Sequence, residues 1–225
     1  MQETLELRCP QGASSLTDIM AALEQAAVAH SVVLHIDRDR MLSEFGVLWM
    51  LARCRVTLQR MPSEGFTVQT FLRKPAAAVS HRDFTVLDER GVCGTAVQTW
   101  VLVDAEERKL RSLKAITPLW TLPTPVPERT DFLRHLSLPE ELPDRVSWTV
   151  APEEIDSNGH LNNVKYILHA EAMIPRPCTC LEVLFDRECF AGETLTLESD
   201  GTYVRGIRSD GLDAFRCRFF KEGEE

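Results

Sequence analysis

The feature that most constrains this 225-residue sequence is an internal repeat. Leu16, Ile19, Leu23 and Ala27 recur as Leu161, Val164, Leu168 and Ala172 at one constant offset of 145. Both sets have the spacing that places side chains on one helix face. Met20 joins the first set, and Ser14 or Ser15 can cap its start. A second match lies downstream: Arg60-x4-Gly65-x-Thr67 corresponds to Arg187-x4-Gly192-x-Thr194. In each half the helix leads into a series of strand-like runs. The first half offers 47–59, 66–72, 79–87 and 95–104. The second offers 146–150 ahead of its helix, then 181–186, 194–198, 203–207 and 214–220. The expectation is α+β: a helix on a curved antiparallel sheet, built twice, with the two sheets paired into one body.

Prolines mark the join. Pro118, Pro123, Pro125, Pro127, Pro139 and Pro143 are half of the twelve prolines, and proline resists both helix and central strand. The division is therefore 1–116, a linker at 117–144 with a short helix around 131–136, and 145–225. Hydrophobic residues make up 44% and charged residues 26%, which supports a packed core and excludes wholesale disorder. No apolar run reaches the length of a membrane span. The net charge of −9 argues against nucleic acid as the main partner. The first residues, MQETLELRCPQG, carry acids where an export signal needs a basic and an apolar block. The seven cysteines are odd in number and hold no CxxC pair. A cytoplasmic protein without structural metal or cofactor is expected.

The two copies differ in chemistry. The turn before the second helix reads Ile155-Asp156-Ser157-Asn158-Gly159-His160-Leu161-Asn162-Asn163. At the same offset the first copy has Gln11, Ala13 and Ser15 where the second has Asp156, Asn158 and His160. In the strand match Glu188 faces Met61. Needs of the fold would be shared by both copies, so a one-sided polar set points to catalysis. His160 and Glu188 can each take a proton from water. Asn158 can polarise a carbonyl, Asp156 can orient its neighbours, and N–H groups at the helix start favour an oxyanion. No GxSxG elbow is present. Helix capping remains an alternative use of Asp156 and Asn158, and Cys189 reads as a small buried thiol.

The run from Asp156 to Tyr166 closely resembles the D-x-N-x-H-V-N-N-V-K-Y motif of plant and bacterial acyl-ACP thioesterases, and Arg187-Glu188-Cys189 resembles that family's R-E-C strand motif. Trp49 to Arg53, His81 to Phe84 and Trp100 to Asp104 are similar in order to bacterial members. The resemblance implies a tandem hot-dog fold and hydrolysis of acyl-acyl carrier protein to free fatty acid. It implies Asp156, Asn158, His160 and Glu188 as the catalytic set, with Glu188 leading as base and His160 able to exchange roles with it. It also implies that the first copy lines the acyl pocket. His169 stands where the family has an aromatic residue.

Two further expectations concern binding. Leu16, Ile19, Met20 and Leu23, with Asn162 and Asn163, are candidates to line the substrate tunnel. A carrier that is itself acidic needs a basic patch: Arg108, Lys109, Arg111 and Lys114 are the densest cluster, and Arg53, Arg55, Arg60, Arg73 and Lys74 a second. Acyl-CoA as the carrier, a non-catalytic acyl-binding role, a hot-dog dehydratase and assembly as a homodimer are left open.

Overall fold

The computed structural model describes residues 4–73, 78–114, 116 and 133–224. In chain order the elements are β1 (Thr4–Cys9), α1 (Leu16–Val33), α2 (Arg38–Phe45), β2 (Val47–Leu58), β3 (Phe66–Leu72), β4 (Val79–Asp88), β5 (Gly91–Asp104) and β6 (Leu110–Arg111). They continue with β7 (Asp144–Thr149), α3 (Asn163–Glu171), β8 (Cys180–Phe185), β9 (Thr194–Ser199), β10 (Tyr203–Ile207) and β11 (Asp213–Phe220). The strands form a single antiparallel sheet in the order β1-β3-β4-β5-β2-β8-β11-β10-β9-β7, with β6 beside β5.

That order is a palindrome of the repeat. Reading outward from the centre, the first half runs β2, β5, β4, β3, β1 and the second runs β8, β11, β10, β9, β7. The halves meet where β2 pairs with β8, Cys54 opposite Val183 and Arg55 opposite Glu182. α1 and α3 pack against each other on the inner side. This is the tandem hot-dog arrangement. α2 and β6 have no counterpart in the second half, and α3 has 9 residues against 18 in α1.

Strand sequences explain their burial. In β3 Phe66, Val68, Thr70 and Leu72 alternate inward along a half-exposed strand. β8 instead buries five residues in succession, as a strand covered on both faces must. Its outer cover includes Leu133 and Leu136, which pack on Leu184. Residues 133–136 are irregular rather than helical; the helix expected around 131–136 is absent there because those leucines cover the sheet instead. The rest of that expectation, with most of the proline-rich stretch, lies outside the described residues.

α1 joins the halves through its N-terminus. The first free backbone donors of a helix need partners. Ser15 Oγ accepts from Asp18 N–H at 3.1 Å, while Asp18 bonds back to Ser15 N–H, closing a capping box. The Leu16 and Thr17 N–H groups donate to Glu171, the last residue of α3, at 2.8 and 2.9 Å, and Thr17 Oγ1 donates to it at 2.6 Å. A carboxylate there also meets the positive end of the α1 dipole.

Glu171→Ala removes all three bonds and should cost about 1–2 kcal/mol of stability, with Glu171→Gln intermediate, in urea unfolding followed by far-UV circular dichroism. No change in either variant would show that the capping box alone holds the start of α1.

Candidate active site

The Asp156 turn is built around its own carboxylate. Oδ1 accepts from the Asn158 N–H at 2.7 Å and the His160 N–H at 3.3 Å, and Oδ2 from Asn158 Nδ2 at 3.3 Å. Gly159 sits at φ +81°, a conformation that glycine takes without strain. The backbone closes through Asp156 N–H to His160 O at 2.8 Å. Asn162 caps α3, accepting from Val164 N–H at 2.7 Å. Asp156 thus orients the turn, and Asn162, rather than Asp156 or Asn158, is the helix cap.

The turn is held from behind by Glu154. Its carboxylate accepts from the Trp148 indole at 3.2 Å, the Ala151 N–H at 3.0 Å and His169 Nε2 at 2.6 Å. Burial pushes the Glu154 pKa up, but these bonds outweigh it and leave it below its ordinary value. His169 lies flat against Trp148, ring centroids 3.8 Å apart.

His160 and Glu188 meet at the rim. His160 Nδ1 is 3.4 Å from Glu188 Oε1. Arg108 completes the group: one of its terminal nitrogens lies 2.8 Å from His160 Nε2 and also donates to Glu188 Oε1. A guanidinium only donates, so His160 Nε2 accepts and its proton resides on Nδ1, facing Glu188. Arg38, at the start of α2, donates through Nε to Asn158 Oδ1 at 2.6 Å and through Nη2 to the Ser157 carbonyl at 3.1 Å. Asn158 is held at both ends of its amide.

Behind this group lies a cavity of about 490 Å³. The second half contributes Asp156, Asn158, His160, Asn162, Asn163 and Glu188 to its wall; the first half contributes parts of α1, β2, β4 and β5. The cavity therefore lies at the junction of the halves rather than within the first one.

Four sequence expectations need correction. Leu16, Ile19, Met20 and Leu23 are core residues with 0–1% exposure and do not line the cavity. The wall from α1 is Glu24, Ala27, Val28 and Ser31, further along the helix. Arg108 is not a free docking cation, since His160 and Glu188 hold it. Most backbone donors at the helix start are taken, since the N–H groups of residues 158 to 162 and of Val164 have partners, and the expected oxyanion donors narrow to the N–H of Asn163. In the second basic cluster Arg55, Arg60 and Arg73 face Glu182, Asp88 and Asp83, and Lys74 lies outside the described residues. Lys109 pairs with Glu107 and Arg111 with Asp104, both on the surface, and Lys114 is exposed.

Arg38, Glu24 and Glu154 escaped sequence reading. Glu24 left a trace, a charge interrupting the apolar face of α1. It accepts from Asn162 Nδ2 at 3.0 Å, and burial raises its pKa. Cys189 is fully buried, and burial pushes its thiol pKa up, the reverse of an activated nucleophile. Among the described residues no three His, Cys, Asp or Glu side chains converge as metal ligands, and no single helix is long and apolar enough to cross a membrane.

The fold and site define a tandem hot-dog protein with one polar centre at the mouth of a cavity shared by both copies. Residues 10–116 match the family model of the acyl-ACP thioesterase N-terminal domain. The chain is 26% identical over 213 residues to a chloroplastic palmitoyl-acyl carrier protein thioesterase of Cuphea hookeriana, covering 83% of this chain and 49% of that protein. It is 25% identical over 169 residues to a chloroplastic oleoyl-acyl carrier protein thioesterase of Coriandrum sativum, covering 68% and 43%. The fold is shared with an acyl-ACP thioesterase from Bacteroides thetaiotaomicron, at TM-score 0.76 and 20% identity over 98% of this chain and 99% of that one. It is shared equally with a 12:0-ACP thioesterase from Umbellularia californica, at 0.78 and 18% over 98% and 97%. The chain is thus similar in sequence and fold to acyl-ACP thioesterases, and it spans about half the length of the curated relatives it matches.

Iodoacetamide applied to the native protein should label half-buried Cys9 well before Cys189 by peptide mass spectrometry, and Cys189→Ala should fold normally. Rapid labelling of Cys189 would restore it as a candidate nucleophile.

Proposed function

We propose that the chain hydrolyses acyl thioesters carried on acyl carrier protein, releasing the free fatty acid. The observation that carries this reading is the convergence of Asp156, Asn158, His160, Glu188 and Arg108 at the mouth of a largely apolar cavity. The cavity takes the acyl chain and the rim takes the thioester.

Glu188 is the base. His160 donates its nearer ring nitrogen toward that carboxylate and has its other nitrogen occupied by Arg108, which leaves Glu188 to take the proton of a water as it attacks the thioester carbonyl. The tetrahedral oxyanion then needs donors. With the N–H groups of residues 158 to 162 already bonded, the donors at hand are Asn158 Nδ2, the N–H of Asn163 at the start of α3 and the Arg108 guanidinium. The tetrahedral intermediate collapses by expelling the thiolate, and the proton on Glu188 goes to the departing sulfur. Asp156 and Arg38 act as positioning residues for Asn158. All seven cysteines are free thiols, which supports a reducing, cytoplasmic setting.

Thiol release from acyl-carrier substrates should fall about 10²–10³-fold in Glu188→Gln and His160→Ala. Arg108→Gln should fall by a smaller factor, and Arg108→Lys should recover part of the loss, since it keeps the charge without the fork. Release that survives Glu188→Gln would overturn the site assignment. Release of pantetheine but not of carrier from matched substrates would point to a different carrier.

The basic residues beside Arg108 supply the carrier's footing. Lys109, Arg111 and Lys114 stand on the same segment as the Arg108 that reaches the site, so a carrier docked on them presents its arm to the rim. Lys109→Glu combined with Lys114→Glu should raise KM for carrier-bound substrate and leave small thioesters unaffected. Equal effects on both would remove the docking role.

A further inference from the structure

The inner wall of the cavity holds polar groups that the hydrolytic reading does not use. Ser80 and Arg82 on β4 both line it, at 0% and 4% exposure. Arg82 donates through Nη1 to His30 Nδ1 at 2.8 Å and to Thr70 Oγ1 at 3.3 Å. Both acceptors are neutral, since a histidine nitrogen that accepts from a guanidinium carries no proton. Nε and Nη2 have no partner among the described residues, and no carboxylate pairs with Arg82 there. Ser80 Oγ is buried and has no hydrogen-bond partner among the described residues. Glu24, a carboxylate elsewhere on the wall, is bonded to Asn162. Burial pulls the Arg82 pKa down to about 9, so the group is still a cation at neutral pH.

An unpaired buried cation beside an unpaired buried hydroxyl is costly to keep. Both costs disappear if the cavity's occupant brings an oxygen acceptor to them. The rest of this part of the wall, Leu48, Leu51, Leu72 and Trp100, suits methylene groups. Strand register says where along the chain the oxygen would fall. Arg82 is opposite Gln98, Gln98 opposite Cys54, and Cys54 opposite Val183. Arg82 therefore lies three strand spacings, about 14 Å, from the strand that leads to Glu188. A group reaching it sits far from the thioester carbonyl.

We propose that the preferred acyl chain carries an oxygen acceptor at its far end, a carboxylate above all, bound by Arg82 and Ser80. The proposal rests on the thioesterase reading for its substrate and goes beyond it in naming a substrate class. A carboxylate fits best because it pairs with the guanidinium face in two bonds and also accepts from Ser80. A terminal hydroxyl satisfies the same groups with less electrostatic gain.

The test is a series of carrier-bound acyl thioesters at several chain lengths, each length made with a methyl, a hydroxyl and a carboxylate terminus. At the best-fitting length, kcat/KM should rise from methyl to hydroxyl to carboxylate, the ends differing by about tenfold or more. Arg82→Met should collapse the carboxylate-to-methyl ratio. Ser80→Ala, a milder change, should lower the carboxylate and hydroxyl ratios without disturbing the fold. Methyl-ended chains preferred at every length, or ratios unmoved by both variants, would overturn the proposal. If no chain releases thiol, the thioesterase reading fails by itself. Calorimetric binding of dicarboxylic against monocarboxylic acids then decides this one, which predicts tighter binding of the dicarboxylic acid and is overturned by equal binding.

Discussion

The pairing of β2 with β8 is the contact on which the rest of the structure depends. Each half alone would end in a central strand with one side of its hydrogen-bonding groups unpaired. Joining them along residues 53–57 and 180–184 satisfies those groups and continues the sheet through both halves. The same pairing brings the end of β8, and so Glu188, beside segments of the other half. Arg38 follows α1 and Arg108 follows β5, yet both reach residues 80 or more positions away. The site is therefore composite, and neither half can assemble it alone.

A set of carboxylates holds this junction, each accepting hydrogen bonds from nearby backbone or side-chain donors. Glu171 closes the start of α1 from α3. Glu24 ties α1 to the cap of α3. Glu154 gathers Trp148, Ala151 and His169 beneath the turn, and Asp156 gathers the turn itself. Buried polar networks repay their desolvation only when fully bonded, and these are bonded closely enough to fix the rim before any substrate arrives. Preorganised donors of that kind stabilise developing charge without reorganising during the reaction. Ser80 and Arg82 break that pattern, and for that reason they point to a ligand.

Much of the fold was legible because the repeat doubled every signal. The long, strongly alternating runs at 66–72 and 203–207 match β3 and β10 end to end, and most other strands fall within one to four residues of their expected bounds. β1 was missed because Thr4–Cys9 is a short edge strand that carries Glu6 and Arg8 among its apolar residues and has no counterpart pattern upstream of the second helix at the same offset. α2 was missed because its eight residues bury only Met41; its stability comes from packing on β2 and from the Asp37 and Gly46 caps. For the site, the asymmetry of the two turns singled out Asp156, Asn158 and His160, the strand match singled out Glu188, and the structure places all four close together. What sequence could not give was the contribution of the other half. Arg108 stands in a run of basic residues and reads as surface charge. Only its positive φ and the path of the β5–β6 turn aim it at Glu188. In the same way periodicity marks Leu16 to Leu23 as an inward face, without telling core from cavity wall. That boundary falls at Glu24, where α1 passes beyond α3.

Charge ties these points together. A net charge of −9 on a protein expected to meet an acidic carrier looks contradictory. Many of the arginines, however, are committed within the fold: Arg60 to Asp88, Arg73 to Asp83, Arg205 to Glu198, Arg216 to Asp186. Where the basic residues sit therefore matters more than the total. Lys109 and Arg111, in exposed ion pairs, and Lys114 stand beside Arg108, which contacts His160 and Glu188. Under the proposed function, an acidic carrier would meet its nearest basic side chains at that segment. The overall negative charge would then add specificity, because an acidic carrier in any other orientation meets repulsion.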